Sequence, residues 1–172
     1  MPPWIYGLGG VGALLLLLWP RRASAMTSSD AQFARAVPRE AQPYAAVYLR
    51  VARERQIDPN LLVAVAMRES RSGAAIGGPG GTGDYGHGHG IMQIDDRSFG
   101  PWLQANNWAD PYTNIKKGAQ VWKGKRDYIK SKLPNISEGE LIKASIAAYN
   151  TGEGNVVKSL KAGKPADTTT AH

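Results

Sequence analysis

The chain has 172 residues, 42% of them hydrophobic, and its 21 Lys and Arg outnumber 14 Asp and Glu to give a formal net charge of +7. That length suits one compact domain with a short segment to spare. Cysteine is absent, which excludes a disulfide framework, a thiolate zinc site and a thiol nucleophile, so any chemistry must come from carboxylates, histidine, hydroxyls or lysine.

Trp4 to Trp19 form an uncharged apolar run of sixteen residues, shorter than the about 20 that a membrane-spanning helix needs. Pro20, Arg21 and Arg22 follow, then Ala23-Ser24-Ala25, a small-x-small pattern suited to signal-peptidase cleavage before Met26. Residues 1–25 are therefore read as a targeting segment, with a secreted or periplasmic destination. The alternative is an uncleaved anchor giving membrane association through residues 4–19, because no Lys or Arg precedes the run and the arginine pair follows it. Loss of residues 1–25 removes Arg21 and Arg22 and no acidic residue, so the net charge falls from +7 to +5. A basic surface favours an anionic partner. For an exported protein this means cell-wall polymer or membrane surface rather than nucleic acid; the alternative is that the charge serves only solubility.

Residues 26–42 mix Ser, Ala, Gln, Arg and Pro without periodicity and read as a flexible lead-in to a domain covering 43–172. Val47, Tyr48 and Val51 fall at helical spacing among arginines, which predicts an amphipathic helix over 44–56. Asp58-Pro59 opens the next helix, the aspartate capping orphan amides and the proline losing no hydrogen bond at the first position. Leu61 to Met67 is apolar on every side, so this helix runs through the core and ends at Arg68-Glu69-Ser70-Arg71. Nine glycines between Gly73 and Gly90 forbid its continuation, and Ile91 to Ile94 reads as a short extended piece. A helix over 114–130 turns Ile115, Ala119, Val121, Trp122 and Ile129 inward. Ser137 with Glu140 forms a capping box for the helix carrying Leu141, Ile142, Ile146 and Ala147. A last amphipathic piece covers 155–161. The predicted class is mainly α with little sheet.

Glu69 closes an apolar helix, where partial desolvation would raise its pKa from the usual value near 4.3. A carboxyl raised to about 6 can donate a proton to a leaving oxygen; the plainer reading is a surface glutamate paired with Arg68 or Arg71. Asp84 and Asp95 lie 15 and 26 residues downstream, among glycines that can fold the chain back over the helix end. One acid facing carboxylates across a groove is the equipment of glycoside hydrolysis, whereas an Asx-turn explains either aspartate alone. His87-Gly88-His89 lacks a third ligand at a convincing spacing, so neither metal nor cofactor is predicted.

Four blocks then agree in order and spacing. They are Ala64-Val65-Ala66-Met67-Arg68-Glu69-Ser70, the stretch from Gly83 to Asp95, Asn114-Ile115 with Gly118, and Ala148-Tyr149-Asn150-Thr151-Gly152 with Gly154-Asn155-Val156. From about Pro43 onward the chain resembles the goose-type lysozymes and, more distantly, the soluble lytic transglycosylases. The resemblance implies a lysozyme-like two-lobed fold, a mainly α (α+β) architecture with a glycine-rich loop or small sheet beside a peptidoglycan groove. It implies a monomer acting on glycan strands at the β(1,4) bond between N-acetylmuramic acid and N-acetylglucosamine. Glu69 matches the general acid, and Asp84 and Asp95 match the aspartates that hold the attacking water in an inverting reaction. His89, Ile91, Gln93, Asn114, Tyr149 and Asn150 are carried as substrate contacts, although many family members have histidine where Asn114 stands. Members also usually continue into a further helix, so the C-terminus is read as either truncated or naturally short.

Three readings follow. The first is a muramidase; the second is a lytic transglycosylase, in which the sugar's own 6-hydroxyl attacks and leaves a 1,6-anhydro end. The third is a catalytically silent wall-binding module.

Overall fold

The computed structural model describes residues 27–166; the targeting segment expected at 1–25 and the last six residues lie outside that range. The lead-in expected at 26–42 contains helix α1 (Ser28–Ala36). Thr27 and Asp30 satisfy each other's amides as a capping box, a local signal that a search for apolar periodicity overlooks. Asp30 is buried and receives Arg53 from α2 (Ala45–Arg55), which ties this helix to the rest.

Helix α2 ends at Gln56 in a left-handed conformation, and α3 (Pro59–Ser70) starts at once behind the Asp58 cap, whose carboxylate accepts from the Asn60 amide at 2.8 Å. The glycine segment then builds three two-residue strands, β1 (Thr82–Gly83), β2 (Gly88–His89) and β3 (Ile94–Asp95). They pair antiparallel in the order β1-β2-β3, with Thr82 opposite His89 and Gly88 opposite Asp95. The extended piece expected at Ile91 to Ile94 shrinks to its end: residues 91–93 make a turn, and Gln93 takes a φ of 46°. Helix α4 (Asp96–Ala105), not among the predicted elements, breaks at Phe99 and restarts at Gly100-Pro101, where proline can open a helical turn without losing a bond.

Helix α5 (Pro111–Lys132) starts three residues before the predicted start at Asn114, because Asp110 caps the Thr113 amide at 2.8 Å and Pro111 takes the first position. Helix α6 (Glu138–Thr151) carries the predicted Ser137/Glu140 capping box, and α7 (Glu153–Lys161) follows it directly. Two apolar clusters result. The larger joins Tyr48, Leu62, Val65, Met92, Ile115 and Trp122; the smaller joins Ile129, Leu141, Ala144, Ala148 and Val156. Helix α5 spans both, and Ile146 and Tyr149 bring α6 against the larger. Each fully buried aliphatic side chain in them contributes about 1.5–3 kcal/mol. A small residue is required where the sheet meets α5: a Cβ on Gly118 would lie 2.6 Å from Met92 Cε. Among the described residues no helix is long and apolar enough to cross a membrane. The mainly α architecture with a small sheet is the one predicted.

Candidate active site

The last turn of α3 delivers Glu69 from the core to the edge of a groove. Its carboxyl is largely buried, and desolvation pushes its pKa from 4.5 up to about 7 against the opposing charge of Arg68. Asn150, at the end of α6, bridges the two. With its amide nitrogen turned toward the carboxyl it donates to Glu69 Oε1 at 2.6 Å, while its oxygen accepts from Arg68 Nε at 2.8 Å. The preceding residue, Tyr149, has its hydroxyl held neutral by burial and by the nearby Glu69 charge, and that hydroxyl donates to the Met92 carbonyl at 3.0 Å.

Residues 89–93 are held beside Glu69 by three helices. From α3, the Ser70 hydroxyl donates to the Ile91 carbonyl at 2.7 Å and accepts the Gly73 amide. From α5, the Asn114 oxygen accepts the Met92 amide at 2.7 Å and its nitrogen donates to the His89 carbonyl at 3.0 Å. The third is Tyr149 on α6. Gly90 sits in the left-handed region, with a φ of 70°, and a Cβ there would come within 2.4 Å of Asn114 Nδ2, so only glycine lets the clamp close.

This clamp corrects the list of substrate contacts. Ile91 and Asn114 are completely buried; they fix the turn and cannot touch a polymer in the groove. The His89 ring packs edge-on against Trp108 with centroids 4.8 Å apart, and its nitrogens are closed off from solvent, Nε2 lying 3.6 Å from Asp96. His87 meets the same carboxylate at 2.9 Å, so both imidazoles share Asp96. Gln93, Tyr149 and Asn150 do line the groove, a cavity of about 350 Å³ that also includes Asp95, Arg97 and Lys125. The Gln93 amide donates to the Gly90 carbonyl at 2.8 Å.

Asp95 joins β3 to α4 and caps that helix, its carboxylate accepting from the Ser98 amide at 3.0 Å and the Ser98 hydroxyl at 2.8 Å. Burial pushes the Asp95 pKa up, but the Ser98 and Arg97 contacts outweigh it and hold the carboxyl below the usual carboxylate range. Arg97 Nε donates to Asp95 at 2.6 Å, and its Nη2 donates to Asp84 at 2.6 Å. One guanidinium therefore joins two carboxylates that are distant in sequence. Sequence reasoning missed Arg97, although its place two residues after a helix-capping aspartate was a usable signal. It also missed Lys125, which enters the groove wall from α5 and pairs with Glu153 at 2.9 Å.

The arrangement holds a protonatable acid at the end of an apolar helix and, in the segment of the small sheet, two aspartates joined by one guanidinium. Comparison with known proteins points the same way. The chain is similar to the lysozyme g of Struthio camelus, at 32% identity over 113 residues, 66% of this chain and 52% of that protein. It is similar also to the lysozyme G of Dromaius novaehollandiae, at 31% over 113 residues with the same coverage. The lysozyme g of Cyprinus carpio is 30% identical over 115 residues, 67% of this chain and 59% of that protein. The matched region thus spans about half the length of these relatives. The family model described as Lysozyme g matches residues 22–171, which takes in α3, the sheet and α6 together, and the chain belongs to that family.

Proposed function

We propose that the protein is a muramidase that cleaves the β(1,4) bond following N-acetylmuramic acid in peptidoglycan. Glu69, protonated near neutrality, donates its proton to the glycosidic oxygen as the bond to the anomeric carbon breaks. Asp84 and Asp95 hold a water on the opposite face of the sugar, which attacks that carbon while one of the two carboxylates takes its proton, and gives an inverted product. Asn150 keeps the acid oriented, and Gln93 and Tyr149 form the groove floor. The observation that carries this reading is the split between two kinds of carboxyl. One is pushed up to about 7 by burial and the other is held below the ordinary range by Ser98 and Arg97, a separation that assigns acid and partner roles. The net charge of +7 suits an anionic wall, and residues 1–25 would carry the enzyme to it; N-terminal sequencing of the exported protein tests that route.

Glu69→Gln tests the central assignment. It should abolish release of soluble fragments from purified peptidoglycan and leave the circular dichroism spectrum unchanged; substantial turnover by the variant would end the assignment. A second reading, lytic transglycosylation, is favoured by one feature: Ser98 and Arg97 already occupy the Asp95 carboxylate, which weakens it as a base. Mass spectrometry of the muropeptides separates the two. Hydrolysis leaves a reducing end, and transglycosylation gives an anhydro product lighter by one water.

A further inference from the structure

We infer that Arg97 is a positioning residue that holds the Asp84 carboxylate beside Asp95, which lines the groove, for the cleavage step. The inference rests on the reading of Glu69, Asp84 and Asp95 above and extends it to a side chain outside that set.

The two aspartates are anchored unequally. Asp95 has Ser98 as well as Arg97, and it sits where a strand passes into a helix. Among the described residues the Asp84 carboxylate is partnered by Arg97 Nη2. Its backbone is held by the pairing of Gly83 in β1 with Gly88 in β2 and by the Asp84 carbonyl, which accepts the His87 amide at 3.0 Å, at φ values of 48° for Asp84 and 55° for Tyr85 that cost non-glycine residues energy unless their surroundings hold them there. Those backbone contacts do not reach the carboxylate; the guanidinium does. Its planar fork presents two donors side by side, one to each carboxylate, and it relieves the repulsion of two like charges brought together. Arg97 is 60% exposed and Asp84 53% exposed, and ion pairs this open add little to stability. The consequence of the contact is therefore geometric. Among the described residues that line the groove the other cation is Lys125, and it is engaged by Glu153 at 2.9 Å.

The test uses the whole chain, purified peptidoglycan and four variants: Arg97→Ala, Arg97→Lys, Asp84→Asn and the double variant Arg97→Ala/Asp84→Asn. Misplacing a reacting group by about 1 Å can cost about 100-fold, so Arg97→Ala should lower kcat by about 10- to 100-fold. KM should stay within about twofold, and the melting temperature should stay near wild type. Arg97→Lys keeps the charge but not the fork; it should preserve the acid limb of the pH profile while kcat stays low. Free guanidinium should partly restore Arg97→Ala. The double variant should be no slower than Asp84→Asn, because Arg97 acts through Asp84. Wild-type kcat in Arg97→Ala with a dead Glu69→Gln would overturn the inference and leave the muramidase reading standing. Losses that multiply in the double variant, or an unimpaired Asp84→Asn, would overturn it as well. Should Arg97→Ala fail to fold, Arg97→Lys against Asp84→Asn carries the same comparison. Turnover by Glu69→Gln would instead remove the reading on which the inference rests.

Discussion

At the scale of single residues, the behaviour of Glu69 follows from where α3 ends. The helix is apolar on every side through Met67, so its last turn emerges from the core with the carboxyl still partly enclosed. A general acid with a pKa of about 7 must be protonated to act, so turnover should fall about tenfold per pH unit above that point. Toward acid it should persist, since Asp95 keeps its charge to below the usual range; initial rates on peptidoglycan across the pH range check both limbs. Stability carries the same sign. Folded Glu69 binds its proton more tightly than an unfolded glutamate with a pKa of 4.5. Wild type should therefore lose stability as pH climbs from about 4.5 through about 7, by up to about 3 kcal/mol, relative to Glu69→Gln. Urea titrations of the two proteins at about pH 5 and about pH 8 measure the difference; parallel curves at both would contradict it. Glu69 was legible in the sequence because burial could be inferred from the helix that carries it. Arg97 was not, because its partners come from two glycine-separated segments whose approach only the folded loop defines.

At the scale of elements, the turn over 89–93 shows why substrate contacts were harder to read than the catalytic acid. Ile91 and Asn114 lie in the matching blocks, yet their place is inside: one carbonyl goes to Ser70 and one amide side chain spans Met92 and His89. A sequence motif marks residues needed to build a groove as strongly as residues that touch its contents. Asn114→Ala should cost about 2–4 kcal/mol, since it leaves the buried Met92 amide and His89 carbonyl without partners and opens a void beside them. Denaturant unfolding reads that loss, and a change below about 1 kcal/mol would show that the clamp is dispensable. Helices were legible where apolar residues recur at helical spacing, as in α2, α3, α5 and α6. Helix α1 lies in a stretch read as a flexible lead-in, where its Thr27/Asp30 cap and its ion pair to Arg53 went unread, and α4 is interrupted at Phe99 beside Gly100-Pro101, residues that signal a turn.

At the scale of the whole molecule, two apolar clusters share α5 and α6, and the groove lies where β3 and the start of α4 meet those two helices; Asn150 on its wall reaches Glu69 at the end of α3. The class was legible because helical periodicity dominates the chain. The small sheet followed from the resemblance, but its strand positions were not legible, because each strand has two residues and shows no alternation to fix a register. The positive charge predicts a further property. Attraction to an anionic wall is screened by salt, with a Debye length near 10 Å at about 0.1 M, so solubilisation of intact walls should slow as ionic strength rises. Cleavage of short uncharged glycan oligomers should not, and equal salt dependence on the two substrates would assign the charge to solubility alone.

The cleavage reaction depends on one carboxyl keeping its proton near neutral pH. Carbon-13 NMR titration of the Glu69 side chain in the intact protein measures this directly. A midpoint of about 7 is the predicted result, and a midpoint near the ordinary 4.5 would contradict the account.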